Sequence, residues 1–413
     1  MKAVSNDIME VDVAIVGAGP AGLAAATQLR MRGVERVVVL DRETEAGGVP
    51  RHCGHPPFGI REFHRVLTGP QYAKRLVATA ISAGVKILTR HTVMCCRAGG
   101  ELDVATPEGQ ISIRAKRVLI ATGVRETPRS ARLVTGARPL GITTTGALQS
   151  MFYLKGLVPF KRPVVIGTEL VAFSSIITAS NAGIEPVAMI ESGSRISARH
   201  PCGLIPFWKR VPLLLNTELE KIIGITKVEG VSVKNSNTGG SRVIECDGVI
   251  FTGKFMPDSS LARMSHLEVD PASEGIQIDQ FGRCSDPAYF AAGNILRPVE
   301  TAGWSYREGR SVGGWIADDL KVAPRFTNSL KLVCEDPISL VVPQVLIPGE
   351  SGGFQYLQLR VNRAVKGELI VAIDNKIAWR KKMSTLPERR ILIPISALNY
   401  TKNSKILTVY FIE

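Results

Sequence analysis

Near its start the chain alternates between largely apolar runs and one helix-forming run. Val11 to Val16 is apolar except for Asp12, as in a buried parallel strand. Ala21 to Arg32 is rich in helix formers and stops at Gly33, and Arg36 to Leu40, apolar from Val37 on, reads as a second buried strand. This is one βαβ unit. A Gly/Pro-rich stretch with little periodicity follows from Ala46 to Pro70, and long irregular segments inside compact domains are usually functional. Gln71 to Ala83 has the spacing of an amphipathic helix and Lys86 to Cys96 that of a strand.

Val118 to Ile120 forms another buried strand that runs through Ala121 and Thr122 into a small-residue turn at Gly123. Pro163 to Gly167 opens a second βαβ unit, with Phe173 to Asn181 as its helix and Pro186 to Glu191 as its next strand. Gly248 to Gly253 repeats the strand and turn seen at Gly123, Tyr289 to Gly293 is a last short strand, and Gly309 to Leu320 a helix. After Pro324 short β-type runs dominate: Ile338 to Val342, Tyr356 to Val361, Glu368 to Ile373, Arg390 to Ile395 and Ile406 to Ile412.

Between the first strand and helix stands Gly17-Ala18-Gly19-Pro20-Ala21-Gly22. In that context the glycines have separate tasks: a tight turn at Gly17, close approach of a pyrophosphate at Gly19, and helix–strand packing at Gly22. The phosphates then rest on the helix N-terminus. Asp41 closes the second strand 19 residues after Gly22, where a carboxylate accepts both ribose hydroxyls and disfavours a 2′-phosphate. The other reading is a glycine turn without a ligand. The expected fold is α/β, with two Rossmann-like dinucleotide-binding domains, the second inserted in the first, followed by a small C-terminal β domain. The expected bounds are 1–155 plus 245–322, 156–244 for the insert, and 325–413.

The fingerprint itself fits FAD or NAD. Residues 10 to 322 resemble the two-dinucleotide-binding flavoproteins, which include thioredoxin reductases and other pyridine-nucleotide-disulfide oxidoreductases. The match is carried in order by the first glycine motif, Ala121-Thr122-Gly123, and Phe290-Ala291-Ala292-Gly293-Asn294. The resemblance implies FAD at the first site, held by Gly17, Gly19, Pro20, Ala21, Gly22, Asp41, Arg42, Gly48, Val93, Thr122, Gly123, Gly293, Asn294 and Thr301. Asn294 replaces the usual Asp, and its amide can still hydrogen-bond a ribityl hydroxyl. The helix after Thr301 would aim its N-terminus at the flavin's N1 and O2 edge.

Two departures follow. No CxxC exists, so dithiol chemistry is not expected. The insert, which by resemblance would bind NAD(P)H, reads Gly167-Thr168-Glu169-Leu170-Val171-Ala172, with Glu169 where the family has its second glycine. A side chain there obstructs the pyrophosphate. Two like charges about 5 Å apart repel by roughly 3 kcal/mol at an effective dielectric of about 20, which is about a hundredfold in affinity. A Glu169 swung into solvent leaves the site open, so the residue is a warning and not an exclusion, and NAD(P)H is doubtful there.

Longer motifs carry a narrower resemblance. Gly47-Gly48-Val49-Pro50-Arg51-His52-Cys53-Gly54-His55, Phe58-Gly59, Leu67-Thr68-Gly69-Pro70-Gln71-Tyr72-Ala73 and Glu300-Thr301-Ala302-Gly303-Trp304-Ser305-Tyr306-Arg307-Glu308-Gly309 look like the large subunits of bacterial opine oxidases. Hydrogen cyanide synthase and hydroxyproline dehydrogenase subunits are similar. The resemblance implies an electron-handling subunit partnered by an amino-acid-oxidase-like flavoprotein subunit, an iron–sulfur protein, or both, with a homo-oligomer also open. The C-terminal cysteine-rich iron–sulfur segment of related subunits has no counterpart here, where only Cys334 stands in the β-rich region.

Composition changes this picture little. The formal charge of +14 is partly local, with 13 Lys/Arg against 7 Asp/Glu from Arg325 to Glu413. That is either a solvated basic face or a docking surface for an acidic protein or a membrane. No Lys/Arg-rich block or nucleic-acid motif is present. Seven scattered cysteines argue for a reducing compartment. Met1 to Glu10 does not read as a signal peptide, and Val164 to Ile184, interrupted by Glu169 and Asn181, reads as strand–turn–helix. A cytoplasmic protein, at most peripheral to a membrane, is expected.

Cys53, His52 and His55 are candidates for proton transfer or flavin tuning. The bland alternative is a turn that holds backbone; a metal site lacks a fourth ligand. Cys95 and Cys96 should point to opposite faces of a strand, and Cys202, in His200-Pro201-Cys202-Gly203, is a loop cysteine or a reactive thiol. Trp304 and Tyr306 pack internally or face a flavin or partner. The leading expectation is an FAD-dependent oxidoreductase acting within a multi-subunit amino-acid or opine dehydrogenase. The alternatives are a freestanding NAD(P)H-dependent flavoprotein reductase and a nucleotide-binding scaffold subunit without turnover.

Overall fold

The computed structural model describes residues 8–198, 201–298, 300–322 and 329–413. Met1–Asp7, His200 and the stretch around Pro324 and Arg325, on which expectations above touched, lie outside the described residues. The chain divides into two compact units: 1–48, 73–124 and 256–413 in the first, 49–72 and 125–255 in the second.

In the first unit, β1 (Ile8–Val16), α1 (Pro20–Met31) and β2 (Val37–Asp41) form the expected βαβ unit, with Val13 opposite Val37 and Val16 opposite Leu40. α2 (Gly69–Ser82), which belongs to this unit from Ala73 on, leads to β3 (Lys86–Thr89) and β4 (Thr92–Arg97), then β5 (Glu101–Thr106) and β6 (Gly109–Ile120). The single strand expected from Lys86 to Cys96 is therefore two. The chain kinks at Arg90, φ +58°, where its N–H and that of His91 donate to Glu43 O and Asp41 O. β3 stays in the parallel sheet beside β2, whereas β4 runs antiparallel to β5.

In the second unit, β7 (Ile142–Thr144), α3 (Thr145–Lys155), β8 (Pro163–Ile166), α4 (Leu170–Asn181), β9 (Ala188–Ile190) and β10 (Gly248–Phe251) build a parallel sheet, ordered β9-β8-β10-β7 with Leu213–Leu214 beside β9. A four-stranded sheet, Ser241–Glu245, Gly230–Asn235, Thr217–Ile223 and Thr135–Gly136, packs on it. This unit is wider than the expected insert of 156–244, because β7 pairs with β10 and α3 packs on α4.

The chain returns to the first unit at Met256, and β11 (Tyr289–Ala291) then joins β6 in parallel, adding to the sheet β3-β2-β1-β6-β5-β4. α5 (Ala302–Asp319) starts earlier than the helix expected from Gly309. Its glycines lower helix propensity but permit close approach to α1: a Cβ on Gly309 would lie 2.0 Å from Ala21 O, and one on Gly313 2.7 Å from Ala25 O.

The C-terminal region holds β12 (Leu330–Cys334), β13 (Ile338–Val342), β14 (Val345–Leu346), β15 (Tyr356–Val361), β16 (Val365–Ile373), β17 (Lys376–Thr385), β18 (Ile391–Pro394) and β19 (Ile406–Ile412). They make two sheets, β14-β12-β19-β16-β17 and β13-β15-β18, around a core that includes Leu357, Leu359, Leu369, Val371, Leu407 and Val409. The region is not detached from the first unit. Leu340 and Val342 belong to the same apolar core as Ile276, Ile278 and Leu296, and Ile278 N donates to Gln344 Oε1 at 3.1 Å. Among the described residues no helix is long and apolar enough to cross a membrane.

Candidate functional site

Three strands of the first unit end side by side. Val16 of β1 aligns with Ile120 of β6, and Ala291 of β11 aligns with the same Ile120. Each is followed by one of the small-residue turns singled out in the sequence: Gly17–Gly22, Ala121–Gly123 and Gly293–Asn294. The carboxyl ends of parallel strands are where doubly wound folds bind ligands.

The first turn tests whether a dinucleotide fits. Gly17 has φ +109°, and a Cβ there would lie 2.5 Å from Ala121 O; a Cβ on Gly22 would lie 2.0 Å from Gly17 O. Both glycines are demanded by the chain's own packing. Gly19 is different: a Cβ there would meet nothing within 4 Å. The space beside Gly19 at the head of α1 fits the approach of a pyrophosphate, with Pro20 opening the helix. Ala21 is buried beneath Gly293, whose own Cβ would lie 2.8 Å from that of Ala21.

Asp41, at the end of β2, accepts a 2.7 Å hydrogen bond from Ala18 N and a 2.9 Å bond from Glu43 N, which fixes its carboxylate beside the turn. Arg42 is exposed and stands 3.6 Å from Asp258 Oδ2. Gly48 packs on the turn, since a Cβ on it would lie 2.8 Å from Gly19 Cα. Thr122 Oγ1 donates to Asp258 O at 2.9 Å, and Gly123 O accepts from Asp258 N at 2.9 Å. Val93 is buried on β4 in the core of the sheet. The side chain of Asn294 is engaged by its own loop: Oδ1 accepts from Glu300 N at 2.9 Å and Ser305 Oγ at 3.2 Å, and Nδ2 donates to Glu300 O at 3.1 Å. Its primary part in this structure is to clasp the turn that leads to Thr301, the N-cap residue of α5.

The candidates around Cys53 belong to the second unit and behave differently. Cys53 is buried, and burial pushes its thiol up to about 12, so it is a thiol near neutral pH. Its Sγ lies 3.5 Å from Val49 O and 3.7 Å from Gln149 Oε1. Burial, with Arg51 adding to it, lowers His52 to about 4. His55 Nδ1 donates to Pro56 O at 3.0 Å, and its ring lies 5.5 Å from that of Phe58. These contacts hold a turn and do not form a nucleophile–base pair. Among the described residues no group of three or more His, Cys, Asp or Glu is placed to hold a metal. Cys96 is buried and Cys95 half-buried, on opposite sides of β4, while Cys202 packs against an apolar core.

At the second glycine turn, Glu169 is turned inward. Its Oε2 accepts from Thr252 Oγ1 at 2.7 Å, and its carboxylate covers the turn, so that a Cβ on Gly167 would lie 2.5 Å from Oε2 and one on Gly253 2.2 Å from Oε1. Burial raises the Glu169 carboxyl above its ordinary range, against the hydrogen bond from Thr252 and the nearby charge of Arg132. Arg132 donates to Thr252 O at 2.9 Å and Gly253 O at 2.6 Å. Thr168 Oγ1 donates to Glu191, the acidic residue after β9, and the next loop folds back: Ser197 N donates to Thr168 Oγ1 and Ala198 N to Thr168 O, both at 3.0 Å. The side chains of Thr168, Glu169 and Thr252 at this turn are thus all bonded within the chain. Sequence reasoning found Glu169 but missed Thr252, although Phe251-Thr252-Gly253 repeats the pattern of Ala121-Thr122-Gly123.

The family profile described as Pyridine nucleotide-disulphide oxidoreductase matches residues 11–309. Thioredoxin reductase of Treponema pallidum (strain Nichols) is 25% identical over 301 residues, which cover 71% of this chain and 92% of that protein. The ferredoxin–NAD(+) reductase component of the biphenyl dioxygenase system of Paraburkholderia xenovorans (strain LB400) is 27% identical over 312 residues, 72% of this chain and 69% of that protein. Among solved structures, thioredoxin reductase of T. acidophilum superposes with a TM-score of 0.64 at 25% identity, over 76% of this chain and 99% of that one. L-proline dehydrogenase of P. horikoshii shares the fold, with a TM-score of 0.57 at 20% identity over 78% of this chain and 58% of that one.

Proposed function

Because this chain belongs to the pyridine nucleotide-disulphide oxidoreductase family of FAD-dependent enzymes, we propose that it is the electron-handling subunit of a multi-subunit dehydrogenase acting on amino-acid-like or opine-like substrates. The observation that carries this reading is Glu169, folded over the second glycine turn and hydrogen-bonded to Thr252 at 2.7 Å. A chain whose NAD(P)H-type site is filled by its own carboxylate needs another electron partner, and with no CxxC that partner is not an internal dithiol. The long motifs at Gly47–His55, Leu67–Ala73 and Glu300–Gly309 support the narrower resemblance to opine-oxidase large subunits.

FAD supplies reversible two-electron chemistry at its isoalloxazine ring. In this reading Gly17, Gly19 and the head of α1 hold the pyrophosphate, and Asp41 meets the adenosine ribose. Gly293 and the turn through Thr301 line the flavin side, where the α5 N-terminus stabilises negative charge. Asn294 serves by holding that turn. Cys53 carries no part of the reaction, since a buried thiol at about 12 is not a nucleophile near neutral pH. The basic edge strand β17, with Lys376, Arg380, Lys381 and Lys382 exposed, supports docking of an acidic protein partner.

Tagged purification from the native host tests this. The expected result is a complex in which a second flavoprotein subunit, an iron–sulfur protein, or both accompany the chain. A lone chain that turns over with NADH or NADPH overturns the proposal in favour of a freestanding reductase, a reading that the ferredoxin–NAD(+) reductase relative favours.

A further inference from the structure

The family match ends at residue 309, leaving β12–β19 without an assigned task. One contact ties these strands to the flavin-side turn. Glu300, 8% exposed, stands immediately before Thr301 at the head of α5. Its Oε1 accepts from Arg360 Nη2 at 2.7 Å and its Oε2 from Arg390 Nη2 at 2.6 Å. Arg360 lies on β15 and Arg390 immediately before β18. The backbone of Glu300 is in turn held on both sides by Asn294, at 2.9 and 3.1 Å. A continuous chain of contacts therefore runs from the C-terminal sheets to the residue after Gly293.

A second layer backs the first. Arg297, only 1% exposed, pairs with Glu308, whose Oε1 also accepts from Trp304 Nε1 at 3.1 Å and from Gln358 Nε2 of β15 at 3.2 Å. The Arg390 guanidinium lies 3.7 Å from the centroid of the Trp304 ring. Three guanidinium groups, of Arg297, Arg360 and Arg390, thus face two carboxylates, of Glu300 and Glu308, beside the α5 N-terminus. Attachment alone does not explain this. Leu340 and Val342 already bind the region to the sheet through a shared apolar core. Buried charge clusters are poor stabilisers beside apolar packing; they are better at fixing one geometry.

We propose that the C-terminal sheets are a positioning device for the flavin: Arg360 and Arg390 fix Glu300, and through it the turn from Gly293 to Thr301 and the α5 N-terminus. This rests on the reading of that turn as the flavin side. Arg360 and Arg390 act through Glu300 and are positioning residues.

The test uses the full-length chain with Arg360→Gln/Arg390→Gln, with Glu300→Gln, and with Arg390→Lys, and two measurements. Hydrogen exchange of the amides from Asn294 to Ser305 should quicken about tenfold in the double variant and in Glu300→Gln, as expected when a local clasp opens, and Arg390→Lys should recover most of the protection. The midpoint potential of the bound flavin should fall in the double variant, where positive charge is lost, and rise in Glu300→Gln, where negative charge is lost. A loosened turn without electrostatic positioning moves both potentials the same way, and that result overturns the proposal, as does unchanged exchange in either variant. If the double variant fails to fold, Glu300→Gln, which leaves no buried carboxylate unpaired, decides alone. Wild-type protein without flavin overturns the proposed function, and the exchange measurement still decides the clasp.

Discussion

Gly17, Gly19 and Gly22 look alike in the sequence but do different work in the structure. A Cβ on Gly22 would sit 2.0 Å from Gly17 O, whereas one on Gly19 would meet nothing within 4 Å. Gly19→Val should therefore keep the melting temperature within a few degrees while flavin content falls at least tenfold, about 1.4 kcal/mol or more in binding. Gly22→Ala should unfold or melt far lower, because the turn itself cannot close. Visible absorbance against protein concentration, with thermal melts, separates the two. His52 gives a pH prediction in the second unit. Its folded pKa of about 4 lies below the ordinary 6.5. The contribution is absent above about pH 6.5; as pH falls from there to about 4, the unfolded chain takes up the proton first and stability is lost. The loss reaches about 3 kcal/mol, from 2.5 pKa units at 1.36 kcal/mol each. His52→Gln should flatten that acid limb in urea melts between pH 4 and 6.5. At this scale the glycine motif, Asp41 and Glu169 were legible because each departs from or obeys a short-range rule. The inward turn of Glu169 and the engagement of Asn294 were not, since both depend on partners far along the chain, Thr252 and Glu300.

The contact between α1 and α5 shows what an element adds. α5 was read too short because Gly303, Gly309, Gly313 and Gly314 weaken its helical signal. Packing reverses the meaning of two of them. Gly309→Ala, with its Cβ 2.0 Å from Ala21 O, should destabilise by about 2 kcal/mol or more and release flavin, because Ala21 belongs to the nucleotide turn. Gly314→Ala, whose nearest neighbour would be Arg32 Nη1 at 3.9 Å, should gain up to about 1 kcal/mol from helix propensity. Equal effects of the two substitutions in denaturant melts would contradict this account of the contact. The parallel strands were legible as apolar runs, whereas β17 was missed because its exposed edge carries Arg380, Lys381 and Lys382 where a buried strand has apolar residues. Edge strands are patterned to resist pairing, which hides them from a periodicity rule.

Over the whole molecule, two Rossmann-like units carry two glycine turns that the chain treats oppositely. The first has free space beside Gly19 at the ends of β1, β6 and β11; over the second lies the carboxylate of Glu169, bonded to Thr252, with the next loop bonded to Thr168. The order of the two units was legible from repeated strand–turn–helix patterns. The attachment of the C-terminal sheets was not, since Arg360 and Arg390 carry no local signal of their pairing with Glu300. The central claim is that one dinucleotide site works and that it holds FAD. Anaerobic titration of the purified chain with NADH and NADPH, followed at the flavin's visible absorbance, tests it most directly. The expected result is a flavin band that excess nicotinamide leaves unchanged and a chemical reductant bleaches. Rapid bleaching by either nicotinamide, or a protein without a flavin band, would contradict it.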